Sequence, residues 1–285
     1  MGENIKAIRA RIKSVDSTRH ITKAMELVAA SKIKKAGVRM EKSRFYKDIM
    51  LDAFADLASE ESSYAKTRSR ELPALYIIVA GDRGLAGGYN NNIFRSAAAM
   101  MRGGDYVIPV GKRAVDYYSR RDNVKVVTGE FMSVENFTSA EAAKAAYTAK
   151  EMYDRGEIRE VNLISTKFVS MLSSRPDITY LLPLETLAEN RGENGEKKEK
   201  SDALTEYEPS PEEVLAAVIP EYIAGVLYTS AVEAYASELA SRRAAMDTAT
   251  KNADEMLGDL SLKYNRARQG AITQEITEIV AGANA

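Results

Sequence analysis

The chain has 285 residues, with forty Lys and Arg against forty-one Asp and Glu, one His, and neither Cys nor Trp. These counts exclude a disulfide framework, a thiol nucleophile, a zinc site built on Cys or clustered His, and a Ser-His-Asp triad unless His20 is its base. No apolar run approaches the ~20 residues of a membrane span and the N-terminus lacks a signal peptide's apolar core, so the composition reads as a soluble protein kept in a reducing compartment.

Near-neutrality hides a polarity along the chain. Residues 1–48 carry thirteen Lys and Arg against five acids, and the remainder leans acidic. A basic helical arm suits nucleic acid, an anionic membrane or an acidic protein surface, or is simply a solvated face. No aromatic residue precedes Phe45 among the basic ones, which counts against a stacking platform for single strands.

From Ile5 the first arm places Ile8, Ile12 and Val15 on one face, then Ile21, Met25 and Val28, with Ile33 and Met40 beyond. No proline precedes Pro73 and only Gly37 interrupts the interior, so the pattern predicts one helix to about Ser59 with a soft point near Gly37. His20, followed by Ile21 in this run, reads as solvated or capping. The serine-rich segment Glu60–Arg70 reads as a linker.

Leu75–Val79 is a short continuous apolar run of the buried-strand type. A glycine-rich turn follows, Ala80-Gly81-Asp82-Arg83-Gly84-Leu85-Ala86-Gly87-Gly88-Tyr89-Asn90, and then a helix-like run from Asn91 through Met101. Strand, turn and helix invite a nucleotide-binding reading, because amides at a helix N-terminus cradle phosphate. The spacing fits neither GxGxxG nor GxxxxGK[ST], and no Lys follows to reach a phosphate.

Asp105–Val110 predicts a second strand with Gly111 opening a helix through Tyr118. Lys125–Thr128 predicts a third strand, Ser139–Arg155 a helix with a serine cap, and Val161–Thr166 and Ile178–Leu182 two final strands. Alternation predicts a Rossmann-like, mainly parallel α/β domain over 70–209, its last two strands antiparallel for want of a helix between them. Acids such as Asp82, Asp116 and Glu130 stand scattered with no base or nucleophile beside them, so neither catalytic residues, metal nor cofactor are expected. The charged run 189–202 reads as mobile.

The second arm, 210–285, opens at Ser210-Pro211 and repeats apolar residues at Leu215, Ile219, Tyr222 and Val226, and again at Ala253, Leu257, Leu260 and Tyr264. Between these runs the seam is of Ala and Ser, too thin to stand alone, so the arm needs a close helical partner: the 1–59 arm, in an antiparallel coiled coil. At 1.5 Å per residue about 60 helical residues span roughly 90 Å, and most of that length is expected to project. After Arg268 no basic residue remains and Ile272, Ile276, Ile279 and Val280 crowd the end. Such a tip either folds back on its own domain or is enclosed by something else.

Three stretches resemble the gamma (central-stalk) subunit family of F-type rotary ATP synthases: Ile21-Thr22-Lys23-Ala24-Met25 with Val28-Ala29-Ala30-Ser31-Lys32, the turn Gly81 to Asn90, and Ile272-Thr273-Gln274-Glu275 with Glu278 and Gly282-Ala283. The resemblance covers nearly the whole chain. It implies a left-handed antiparallel coiled coil inside a ring of alpha and beta subunits, with the α/β domain on the epsilon subunit and the membrane c-ring. Arg268 and Gln269, near Thr273, then match residues that catch a beta-subunit loop, Arg242 matches one that pairs with a beta-subunit acid, and Met25 lies where the shaft meets the beta lever segment. Leu204, Tyr207 and Glu208 match the foot facing the c-ring. Ala86 and the Cys-free run 189–202 imply that the thiol switch of chloroplast relatives is absent. The implied role is a rotor shaft, not itself catalytic, peripheral on the cytoplasmic face of a bacterial plasma membrane, with no nucleic-acid partner. The competing readings are a nucleotide-binding α/β protein with helical extensions and a nucleic-acid-binding coiled coil.

Overall fold

The computed structural model describes residues 5–57, 62–66, 68–128, 130, 132–171, 173–184 and 207–283. In chain order these form α1 (Ile5–Leu57), β1 (Leu75–Val79), α2 (Tyr89–Met100), β2 (Tyr106–Val110), α3 (Lys112–Tyr118), β3 (Lys125–Val126), α4 (Ser139–Asp154), β4 (Val161–Phe168), β5 (Ser174–Leu182) and α5 (Pro211–Ala283). The run 189–202 and Leu204 lie outside the described residues. The chain divides into two compact units, Lys32–Ser241, and Met1–Ser31 with Arg242–Ala285.

In the larger unit, five strands lie in the order β3-β2-β1-β4-β5. β1 runs parallel to β2 and β4, β2 parallel to β3, and β5 antiparallel to β4. This is the doubly wound order, with helices on both faces, and it explains why all five residues of β1 are buried. Leu75, Ile77 and Val79 face Ala142, Ala146 and Ala149 of α4 and Leu215, Ile219 and Leu227 of α5. Tyr76 and Ile78 face Ile93, Phe94 and Ala97 of α2 and Ala114 and Tyr118 of α3. The cap of α4 is Thr138 rather than Ser139: its hydroxyl accepts from the Glu141 N–H while the Glu141 carboxylate takes the Thr138 N–H, a reciprocal box that a serine one residue later cannot make.

Gly111 joins β2 to α3 at φ +91, and a Cβ there would lie 1.9 Å from the Ala80 carbonyl oxygen. Gly111→Ala therefore meets both a strained backbone and a fixed wall, and is expected to destabilise the chain by about 3 kcal/mol or more. A denaturant midpoint close to that of the parent chain would refute this.

α5 is buried on every side between Tyr222 and Leu227 and again over most of Ala231–Ala240. It sits against the sheet on one side and α1 on the other, where Ile33, Ala36 and Met40 meet Val232, Ala236, Leu239 and Ala240. By length and composition α5 is apolar enough to cross a membrane, contrary to the reading of run length. Its place in the core accounts for that apolarity. Pro220 lies inside α5, and the sequence reading passed over it.

In the smaller unit the two helices run antiparallel. The Thr22 and Thr250 hydroxyls meet at 2.8 Å, and Arg19 Nη1 lies 3.4 Å from Asp254 Oδ1. The buried residues of α1 here are Ile8, Val15, Thr22 and Ala29, seven apart, and the same step continues to Ala36 and Ser43 in the larger unit. A strict seven-residue repeat is that of a left-handed coiled coil. The hydrophobic pattern favours Ile21 and Val28 for this face. They are 61% and 57% exposed, and the smaller Thr22 and Ala29 take the seam, because small residues let the two backbones approach closely. α1 passes Gly37 without a break.

Candidate partner-contact surfaces and the glycine-rich turn

The end of α5 is the most exposed part of the described chain. From Arg268 to Ala283 every residue is exposed, including Ile272 (47%), Ile276 (56%), Ile279 (67%) and Val280 (53%). Arg268 and Gln269 stand at the base of this tip, and Thr273 Oγ1 donates to the Gln269 carbonyl at 2.9 Å, which places Gln269 and Thr273 on one face a turn apart. Beyond Arg268 the only charged residues of the tip are Glu275 and Glu278.

A second uncovered apolar surface lies on α1. Ile21, Met25 and Val28 follow one another at helical steps beside the seam, with Met25 half-buried and its neighbours exposed. Arg242 is elsewhere in character: it is 8% exposed within α5. Tyr207 is half-buried and Glu208 exposed just before α5 begins. The structure therefore brings Arg268, Gln269 and Thr273 together on one helical segment, and keeps Met25, Arg242 and the Tyr207–Glu208 pair as separate places. His20 is exposed beside Asp16, a solvated role as expected.

The glycine-rich turn sits at the carboxyl end of β1, beside the switch point of the sheet where nucleotides bind in related topologies. Here the chain's own side chains fill the place. A Cβ on Gly81 would lie 2.6 Å from the Glu238 carboxyl carbon, and Glu238 is 2% exposed. The Tyr89 hydroxyl donates to the Ala234 carbonyl at 2.9 Å, fixing α2 to α5. Leu85 holds a positive φ of 60° and is 64% exposed.

Asp82 organises the turn, a role the sequence reading missed when it counted this residue among the scattered acids. Its carboxylate accepts from Ser133 Oγ at 2.7 Å, from the Val134 and Glu135 N–H groups at 3.2 and 3.1 Å, and from the Lys112 N–H at 3.2 Å, the first amide of α3. The available signal was an Asp in a glycine turn directly after a buried strand, a position suited to satisfying helix-end and loop amides.

Glu135, held by Asp82, is reached from α1 by Lys32 Nζ at 2.5 Å. That hydrogen bond, above all, lowers the Glu135 pKa against the opposing effect of burial. A carboxyl depressed in the folded state adds stability above its unfolded pKa and loses it as pH falls through the folded value. Glu135→Gln is therefore expected to lower stability at neutral pH and to match the parent chain in acid below the depressed pKa. A difference that persists undiminished in acid would contradict the pairing.

A family model described as ATP synthase matches residues 4–285. The chain is 40% identical to the ATP synthase gamma chain of Alkaliphilus metalliredigens over 291 residues, covering 100% of this chain and 99% of that one. It is 38% identical to a gamma chain of Acetobacterium woodii described as sodium ion specific, over 305 residues and the same shares of both chains. Among solved structures, the central stalk and c-ring assembly of Tetrahymena thermophila mitochondrial ATP synthase contains a chain with TM-score 0.60 and 25% identity, covering 80% of this chain and 99% of that one. A chain of the Euglena gracilis mitochondrial enzyme shares the fold with TM-score 0.70 at 18% identity, over 98% and 93% of the two. With a match from residue 4 to residue 285 and relatives near 40% identity over the full length, the chain belongs to the ATP synthase gamma-chain family.

Proposed function

We propose that the chain is the central rotor shaft of an F-type ATP synthase, coupling ion flow through the membrane c-ring to conformational change at catalytic beta subunits. The observation that carries this is the pairing of a seven-residue seam, small from Thr22 onward, with an apolar, exposed α5 tip. An exposed apolar end is expected to be enclosed by other chains. The shaft itself is read as non-catalytic, peripheral on the cytoplasmic face of a bacterial membrane, with alpha and beta subunits around the coiled coil, and epsilon and the c-ring at the foot.

In this reading the shaft works through differential contact. A single asymmetric chain cannot touch several identical beta subunits alike, and it shifts each only by as much as its contacts differ between that subunit's states. About 1.4 kcal/mol of difference changes a site's equilibrium tenfold. The charge-poor tip suits a bearing, because few directed bonds must break as it turns. Arg268, Gln269 and Thr273 supply contacts that depend on orientation, Met25 and its exposed neighbours meet the beta lever, and Arg242 pairs with a beta-subunit acid. Leu204, Tyr207 and Glu208 face the c-ring.

Co-purification tests the assembly. A tagged chain expressed with its genomic neighbours is expected to bring down alpha, beta and epsilon subunits, and reconstitution with alpha and beta to restore ATP hydrolysis. A chain that purifies alone, or that binds a nucleotide or DNA by itself in a titration, would count against it.

A further inference from the structure

We infer that Lys32, Arg39 and Arg44 are positioning residues that fasten α1 to the α/β body, so that torque between body and α1 passes through these three side chains. The inference rests on the rotor reading above and adds the joint to it. α5 is built into the body's own core, with Leu215, Ile219, Tyr222 and Leu227 buried among Leu75, Ile77 and Leu163 of the sheet. Among residues 5–51 of α1, whose side chains are described, none that is fully buried enters that core, and the half-buried Met50 and Leu51 pack against it. Its buried Ile33, Ala36 and Met40 pack mainly on α5, with the half-buried Phe168 of β4 at the edge of that cluster.

Beside the apolar contacts of Met50, Leu51 and Phe168, directed polar contacts hold α1 to the body from two sides. On one flank Lys32 pairs with Glu135, and Arg39 donates to the Glu135 carbonyl at 3.3 Å and to the Phe137 carbonyl. The Arg39 guanidinium lies 5.2 Å from the Tyr228 ring centre, and its Nε meets the Tyr228 hydroxyl at 3.1 Å. The loop it grips is the one anchored to Asp82. Arg44 reaches the Phe168 carbonyl at 3.1 Å and the Glu233 carboxylate, which in turn takes the Phe168 N–H at 2.9 Å. This closes a ring around one residue, Phe168, at the end of β4.

At 100° per residue Lys32 and Arg39 share one side of the seam formed by Ile33, Ala36 and Met40, and Arg44 falls on the other. Rotation of the body about α1 in either direction therefore stretches one of the two clasps. Apolar surfaces slide with little loss, whereas hydrogen bonds weaken steeply once bent or lengthened. The clasps also account for three of the seven basic residues between Lys32 and Lys47, whose charge the sequence alone left to an outside partner or to solvent.

The test is the variant Lys32→Met, Arg39→Met, Arg44→Met, which keeps side-chain length and helix propensity. In the full complex, ATP hydrolysis is expected to stay within about twofold of the parent, and ions pumped per ATP to fall about fivefold or more. In the full-length chain alone, amide exchange across residues 32–50 is expected to accelerate about tenfold or more while residues 215–240 keep theirs. Unchanged pumping with unchanged exchange would overturn the proposal, as would loss of protection in both helices together, the sign of general unfolding. Should the parent chain fail to assemble with alpha and beta subunits, the rotor reading falls, and the exchange measurement still decides whether the clasps hold α1.

Discussion

Arg268→Ala combined with Gln269→Ala is expected to lower ATP hydrolysis of a complex reconstituted with alpha and beta subunits by at least about tenfold. Both residues are exposed at the base of the tip. Hydrogen bonds to a charged group contribute about 1.5–3 kcal/mol each, so losing even one such bond to a partner changes an assembly or coupling equilibrium by roughly ten- to a hundredfold. The same double variant should unfold within about 1 °C of the parent, because surface substitutions away from packed features stay within about 0.5 kcal/mol. Full activity in the double variant would remove these residues from the catch, and a large drop in melting temperature would show that they support the fold instead.

Asp82→Ala is expected to have the opposite signature, a loss of fold. It leaves the Lys112, Val134 and Glu135 N–H groups and the Ser133 hydroxyl without their acceptor. Each of the three partly buried donors left unsatisfied costs about 1–3 kcal/mol, and with water taking up the exposed Lys112 N–H and some of the others a net loss of about 3–5 kcal/mol follows. Asp82→Asn retains one acceptor oxygen and should fall between the two. Urea unfolding of the full chain measures both, and a cost below about 1 kcal/mol for the alanine variant would show that the turn does not depend on its carboxylate.

The elements that carried strong local signals were legible before any coordinates. β1 is an unbroken apolar run, α5 opens at Pro211, and β4 and β5 lack a helix between them, which gave the antiparallel pair. The register of the coiled coil was not legible. Ile21 and Val28 are larger and more apolar than Thr22 and Ala29, so a count of hydrophobic residues chose them. The seven-residue step from Ile8 and Val15 leads to the smaller pair. Close packing favours little side-chain volume, and a hydrophobicity pattern does not record that preference.

The candidate site divides in the same way. The apolar, charge-poor end of α5 was visible as composition, and the structure adds that its Ile272, Ile276, Ile279 and Val280 are exposed. Lys32, Arg39 and Arg44 could be read only as positive charge, since their acceptors are a loop, a hairpin end and Glu233 of α5, about 90 to 190 residues away in sequence. Asp82 gathers four donors from segments that share no local pattern with it.

The central claim is that this chain turns inside a ring of other subunits. Because it contains no Cys, one cysteine introduced at exposed Val169 gives this chain a single thiol for a bead, on a complex immobilised through its beta subunits and assembled from cysteine-free partner subunits. With ATP the account predicts continuous rotation of the bead in one direction, halted when the nucleotide is removed. A bead that stays still while the same complexes hydrolyse ATP would contradict it.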